Sequence, residues 1–226
     1  MNKKPAAENR PRKRSRRRST SDNTRDKILD AAEMLFGERT FDTVSLRDIT
    51  QKARVTLALA SYHFGTKEKL FAEVVKRRAN ILNEMRQRRL AALQATNAPS
   101  TAHIIDAFMH PLFAQMASGQ KGWKSYLFIL AQLGQSNRWL HLIRENFDET
   151  AEQFLTELRR VLPHVPVPLL MRGFAMVLVS MLQTLAQNRR IDALSHGAVL
   201  ADELDDAYAA LLTFCSCGLE GLANQS

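Results

Sequence analysis

The stretch TLALASYHFGTKEKLF, residues 56–71, places hydroxyls and small apolar groups at spacings that suit the reading of a DNA groove. On a helix beginning at Thr56, the side chains of Leu57, Ala58, Ser61 and Tyr62 share one face, and Ala60, His63 and Phe64 share another. Small residues on the first face would let such a helix sit deep in a major groove. Leu57 and Ala58 can touch thymine methyls, and the hydroxyls of Thr56, Ser61 and Tyr62 can reach base edges or phosphates. The second face is expected to pack on Ile28, Phe36 and Ile49, with His63 covering the edge of the bundle. Lys67 follows at the start of the next helix, where free backbone amides and a cation together bind phosphate.

A helix of barely two turns is marginal alone in water, so neighbours must hold it. In TRDKILDAAEMLF, Ile28, Leu29, Ala32, Leu35 and Phe36 recur at helical spacing, behind a cap expected at Asn23 with Asp26 three places on. A second helix, VSLRDITQKA, buries Leu46, Ile49 and Ala53 after a cap at Thr43 or Ser45. The short turn at residues 52–55 then joins it to the Thr56 helix, the arrangement of a helix-turn-helix. A long fourth helix starts at Thr66 and runs through Leu70, Phe71, Val74, Val75, Leu82 and Met85 toward Leu93. The loop ATNAPS (95–100) marks a domain boundary, and helical segments are predicted near 101–117, 122–135, 139–162, 168–188 and 199–222. No strand-like alternation of any length occurs, so the fold class is all-α. The expected organisation is a tail over 1–22, a helix-turn-helix domain over 23–75 with its linking helix continuing to about 95, and a second helical domain over 96–226.

Residues 24–75 resemble the N-terminal DNA-binding domain of the TetR family of bacterial regulators, which shows a related run of "LF-x-E", "F-x-x-V-S-x-R-D-I", "A-x-V" and "YHF-x-[ST]-K-E-x-L". The resemblance implies a homodimeric transcription regulator, most often a repressor, whose C-terminal helical domain binds a small effector. It also implies DNA contacts at Thr43 and Ser45, at Thr56, Leu57, Ala58, Ser61 and Tyr62, and at Lys67. Two positions depart from the pattern: Thr40 and Arg54 stand where the family usually has Gly. A left-handed backbone there would cost on the order of 1 kcal/mol each, unless the turns are shaped differently, and Arg54 could offset its cost by reaching a phosphate. The C-terminal half, with PHVPVPLL, a following apolar helix and LSHG, resembles the fatty-acid-responsive PsrA-like branch, which implies a fatty-acid-like effector.

Charge is distributed unevenly along the chain. Of the net +9, residues 1–20 carry nine basic groups against one acidic, residues 21–95 carry 14 against 10, and residues 96–226 carry 9 against 12. A basic front suggests a polyanion partner at that end, and the Arg-rich residues 1–22 read as a disordered arm that could follow phosphates. No apolar h-region follows the basic start, and the apolar run 169–186 is broken by Arg172 and Gln183, so a cytoplasmic protein without membrane contact is expected. Cys215 and Cys217 lie two apart on a helix, facing different sides, and offer neither a disulfide nor a zinc site. GxSxG, HExxH, P-loop and GxGxxG motifs are absent, and the S-x-x-K and S-D-N matches at Ser118 and Ser21 come in the wrong order. No enzyme activity, cofactor or metal is expected.

In the back half, Phe108, Phe113, Trp123, Phe128, Phe147 and Phe174 are candidates to line an apolar effector pocket, with Gln132 and Arg172 as polar anchors. Pro111, inside a helical pattern, suggests a kink. Leu204, Tyr208, Leu211, Leu212, Cys215 and Leu219 give the last helix more apolar surface than one neighbour needs, and a two-fold four-helix bundle would bury it. Two reading heads about 34–36 Å apart would fit a palindromic operator on double-stranded DNA. The rival reading is a protein that coats nucleic acid through its basic tail, with binding steep in salt and indifferent to sequence.

Overall fold

The computed structural model describes residues 12–96 and 99–225, and among these every regular element is helical. Helices α1 (Arg12–Glu38), α2 (Leu46–Ala53), α3 (Leu57–Phe64) and the start of α4 (Lys67–Gln94) build the head. α1 does not begin at the expected Asn23 cap. It extends back to Arg12, so residues 12–22, expected to be disordered, are helical, while 1–11 of the expected tail lie outside the described residues. Lengthening an existing helix needs no new nucleus, and Arg and Lys propagate it well.

The other helix starts follow local chemistry. Ser45 closes a capping box with Asp48, while Thr56, Thr66 and Ser100 each accept a hydrogen bond from the backbone amide three residues on. In the second domain, α5 (Thr101–Ala117) carries Pro111 in its interior and α6 (Trp123–Gly134) follows. A rod made of α7 (Leu140–Ile143), a π turn (Arg144–Asp148) and α8 (Glu149–Val161) then leads to α9 (Val167–Leu185). The short α10 (Arg190–Leu194) and the final α11 (Leu204–Gly221) complete it. α10 falls in a segment whose sequence reads as a divider.

Two apolar cores result, and their border is not the 95–100 loop. The head core of Ile28, Phe36, Phe41, Ile49, Phe71 and Val74 is completed by Ile129, Leu133, Trp139 and Leu142 from the second domain. Trp139 lies 4.8 Å from the ring centres of both Phe41 and Phe71. α1 crosses α6 so closely at Gly37 that a Cβ there would fall 2.4 Å from Ser125 Cα, which only glycine permits. The second core gathers Leu82, Leu90, Phe108, Tyr126, Phe154, Phe174 and Leu211 from α4, α5, α6, α8, α9 and α11.

Candidate nucleic-acid interface

α3 is amphipathic in the sense expected. Ala60 and Phe64 are buried at 1% and 6% exposure, whereas Tyr62 is 81% exposed and Leu57, Ala58 and Ser61 lie on the open surface beside it. His63 is half-buried, its ring 5.2 Å from that of Tyr62 and 6.1 Å from that of Phe64, so it covers the bundle edge as anticipated. Thr56 Oγ1 accepts from the Leu59 amide at 3.4 Å, which caps the helix and keeps the hydroxyl at its open end.

The angle at which α3 is presented depends on the turn before it. Arg54 adopts φ 55° and ψ 46°, the left-handed region, with its amide bonded to Gln51 O and the Val55 amide to Thr50 O at 3.0 Å. That pair of bonds is a Schellman closure, normally built around glycine. Its geometry survives the substitution, and the Arg54 side chain extends exposed beside α3. Thr40 behaves otherwise: at φ −65° and ψ 155° it is extended, so the turn after α1 has a different shape and no left-handed strain arises.

The remaining expected contacts are mixed. Thr43 is exposed and donates its hydroxyl to Thr40 O at 3.0 Å, and Ser45 is exposed but its hydroxyl donates to Asp48 Oδ2 at 2.8 Å. The Ser45 backbone amide reaches the same Asp48 oxygen, also at 2.8 Å, and these bonds hold the Asp48 carboxyl below the usual carboxylate range. Lys67 is half-buried. Its Nζ donates to Phe41 O and Val44 O, both at 2.9 Å, and sits 4.2 Å from the Phe41 ring centre. It ties the α1–α2 connection to α4, and these two bonds use two of its three N–H groups. Sequence reasoning missed Lys27 and Lys52. With Arg54, Thr56, Leu59 and Met34 they line an open groove of about 930 Å³ between α1 and the turn. Helical spacing puts Lys27 on the open side of α1, a signal that could have found it.

The sequence profile of bacterial regulatory proteins of the tetR family matches residues 28–74, and that of the tetracyclin repressor-like C-terminal domain matches residues 106–218, half of the chain. The chain belongs to the TetR family. Members of this family are DNA-binding transcription regulators and not enzymes; they bind operators as dimers and respond to small molecules. The regulator BetI of Agrobacterium fabrum is 30% identical over 89 residues, 39% of this chain and 41% of BetI. The negative regulator IcaR of the Staphylococcus aureus biofilm operon icaADBC is 34% identical over 61 residues, 27% of this chain and 33% of IcaR. The chain thus matches less than half the length of either curated relative. A transcriptional regulator from Aquifex aeolicus (TM-score 0.59, 18% identity, 84% of this chain and 96% of that one) shares the fold. PfmR from Thermus thermophilus does so as well (TM-score 0.57, 21% identity, 85% and 98%). The coating-protein alternative finds no support in these likenesses.

The expected effector residues do not form one pocket in the TetR-type C-terminal domain. Phe108, Phe113 and Phe174 are buried in its core, and half-buried Phe147 packs against both cores. Trp123 lies under Arg78, whose guanidinium is 4.9 Å from its ring. Gln132 joins the domains: its Nε2 donates to Phe36 O at 3.0 Å and its Oε1 accepts from the Phe41 amide at 3.3 Å. Arg172 and Phe128 lie on the surface. Phe128, Met116, Lys124, Leu127, Leu185 and Arg189 instead line a pocket of about 310 Å³ between α5, α6 and the end of α9.

The expected dimer residues also need correcting. Leu211, Cys215 and Leu219 are buried in the monomer's own core, and Leu204, Tyr208 and Leu212 pack against it. Tyr208 donates to Asp106 at 2.5 Å, and burial with that acidic partner pushes its phenol well up. The opposite sides of the same helices are open: Phe214 is 72% exposed on α11, and Met171, Met176 and Val179 are exposed on α9. Both faces of α11 are apolar, so periodicity alone cannot say which one the monomer covers.

Proposed function

We propose that this TetR-family regulator is a repressor that reads a palindromic operator with α3 and leaves it when a small apolar effector binds the C-terminal domain. The observation that carries the reading is the open face of α3, with Tyr62 projecting at 81% exposure beside Ser61 while Ala60 and Phe64 anchor the helix. Arg54, Thr56, Thr43 and Ser45 surround that face for phosphate contact, and Lys67 has one N–H to add. Two copies would associate through Met171, Met176, Val179 and Phe214. Val167–Leu185 is long and apolar enough to cross a membrane, but this face and the buried Leu170, Phe174, Val177 and Met181 account for its apolarity in a dimer. A cytoplasmic location follows from that reading.

The effector proposed is fatty-acid-like, and its effect a population shift toward a dimer whose heads fit DNA poorly. Gln132 and Trp139, which join the α6–α7 segment to the head, would carry the change. The test is selection of bound duplexes from a random library at about physiological salt. Recovery of an inverted repeat supports the reading, and binding without sequence preference overturns it. On the selected site, Tyr62→Ala should lose about 1–3 kcal/mol of discrimination while leaving the melting temperature unchanged.

A further inference from the structure

Two surfaces of this chain carry opposite charges that nothing beside them neutralises. The first is the open groove of about 930 Å³ between α1 and the turn that precedes α3. Its floor is apolar, built from Ala31, Met34, Ala53, Val55 and Leu59, and both Met34 and Leu59 are exposed. Lys27, Lys52 and Arg54 stand around that floor, all exposed. Among the described residues no carboxylate pairs with any of them. The acid that also lines the groove, Asp30, is held by Arg77 at 2.7 Å. From Thr24 to Met34 the groove runs about 15 Å along α1, at about 1.5 Å per residue.

The second surface is the connection from α10 to α11. Val199 and Leu200 are exposed there, followed by the exposed carboxylates of Asp202, Glu203, Asp205 and Asp206. Internal bonds hold its shape. Ser195 Oγ donates to Val199 O at 3.1 Å, and the Ala201 amide donates to Asp192 Oδ1 at 2.8 Å. Glu203 accepts from the Leu200 amide at 3.1 Å. Asp202, Asp205 and Asp206 pair with no cation among the described residues. Acids favour a helix start, which accounts for Asp205 and Asp206 on α11 but not for two exposed aliphatic side chains beside them.

We infer that this acidic shoulder, residues 199–206, docks in the basic groove of a second copy of the chain, with Val199 and Leu200 on Met34 and Leu59 and the carboxylates against Lys27, Lys52 and Arg54. Each surface supplies what the other lacks, in charge and in apolar cover. A DNA phosphate would meet the cations but leave the apolar floor wet. The contact joins one patch to a different patch, so it links molecules head to tail and is separate from the two-fold contact proposed for α9 and α11. It covers far less than a standard interface, so the association is weak and salt-dependent. Arg54 and Thr56 border both the groove and the open face of α3. Docking and operator binding therefore exclude each other, a consequence that rests on the reading of α3 as the DNA contact. Away from DNA, the protein covers its own reading heads.

The experiment is sedimentation velocity of the full-length, DNA-free protein over a concentration series. At about 50 mM salt the protein is expected to associate reversibly beyond the species that persists at about 0.5 M, because the Debye length shortens from above ~10 Å to about 4 Å. Lys27→Glu with Lys52→Glu, and separately Asp205→Lys with Asp206→Lys, should each weaken that association at least about tenfold, since like charges then meet across the contact. An equal mixture of the two variants should regain it, because the native shoulder of one meets the native groove of the other. Circular dichroism identifies a variant that does not fold, and the wild-type salt series needs no variant. The inference is overturned by no association at low salt, or by association that neither folded variant weakens or that their mixture does not regain. Weaker operator binding by Lys27→Glu with Lys52→Glu, at unchanged self-association, would assign the groove to DNA alone and overturn it too. Operator binding by wild type at concentrations too low for docking tests the regulator reading separately.

Discussion

Glu33→Gln would leave Arg77 and Arg78 facing an amide where they now hold a carboxylate. The Glu33 side chain is 3% exposed and accepts from Arg77 Nη2 at 2.6 Å and from Arg78 Nε and Nη2 at 2.5 and 3.0 Å. Arg78 also donates to Lys121 O at 3.0 Å and stacks on Trp123, so this cluster fastens α1 of the head to α4 and to the start of α6. Removing one partner of a buried ion pair costs about 3–5 kcal/mol. The Arg77 and Arg78 side chains keep 25% and 14% of their exposure and can turn partly to water, which favours the lower end, about 3 kcal/mol. For a chain of this length that loss corresponds to a fall of about 6–12 °C in melting temperature. Urea unfolding should show a lower midpoint at unchanged slope. Gly122→Ala strikes the same cluster independently, because a Cβ there would lie 2.1 Å from Arg78 Nη2 on a backbone at φ 92°. A loss below about 1 kcal/mol for Glu33→Gln, the scale of an exposed pair, would refute the view that this cluster is a buried joint.

Arg54→Gly should raise stability by up to about 1 kcal/mol by relieving the left-handed backbone, yet reduce the salt slope of operator binding by about 1 if Arg54 holds a phosphate; chemical denaturation and binding at several salt concentrations check both. Val179→Glu with Phe214→Glu should shift the protein from dimer to monomer in analytical ultracentrifugation with its helical circular dichroism kept, whereas Leu211→Ala should cost about 2–5 kcal/mol of stability. Asp48 has a folded-state pKa below its unfolded value, so its contribution is present above the unfolded pKa and disappears as pH falls through the lower folded one. Amide exchange at Ser45 should therefore stay protected through the ordinary carboxylate range and quicken only at lower pH, and Asp48→Asn should abolish that dependence.

What the sequence determined by itself is local. Apolar spacing placed the helices, and Ser45, Thr56 and Thr66 marked three of their starts, because a cap joins groups three residues apart. The division of α3 into an open and a buried face was legible for the same reason, since a helix repeats every 3.6 residues whatever surrounds it. Tertiary structure decided everything that depends on which neighbour arrives. α11 is apolar on two sides, and only packing against α5 and α9 shows that Leu211, Cys215 and Leu219 face inward and Phe214 outward. Lys67 reads as a phosphate ligand until the carbonyls of Phe41 and Val44, more than 20 residues away in sequence, are found on its ammonium. Gln132 and Trp139 read as part of the effector domain but complete the head, because α6 crosses α1 at Gly37. The lone charge in the α4 stripe was visible in the sequence as Arg86 between Leu82 and Leu90. That it lies in the core against the Phe108 ring, with no carboxylate partner among the described residues, is a property of several helices together, and no window on one of them contains it.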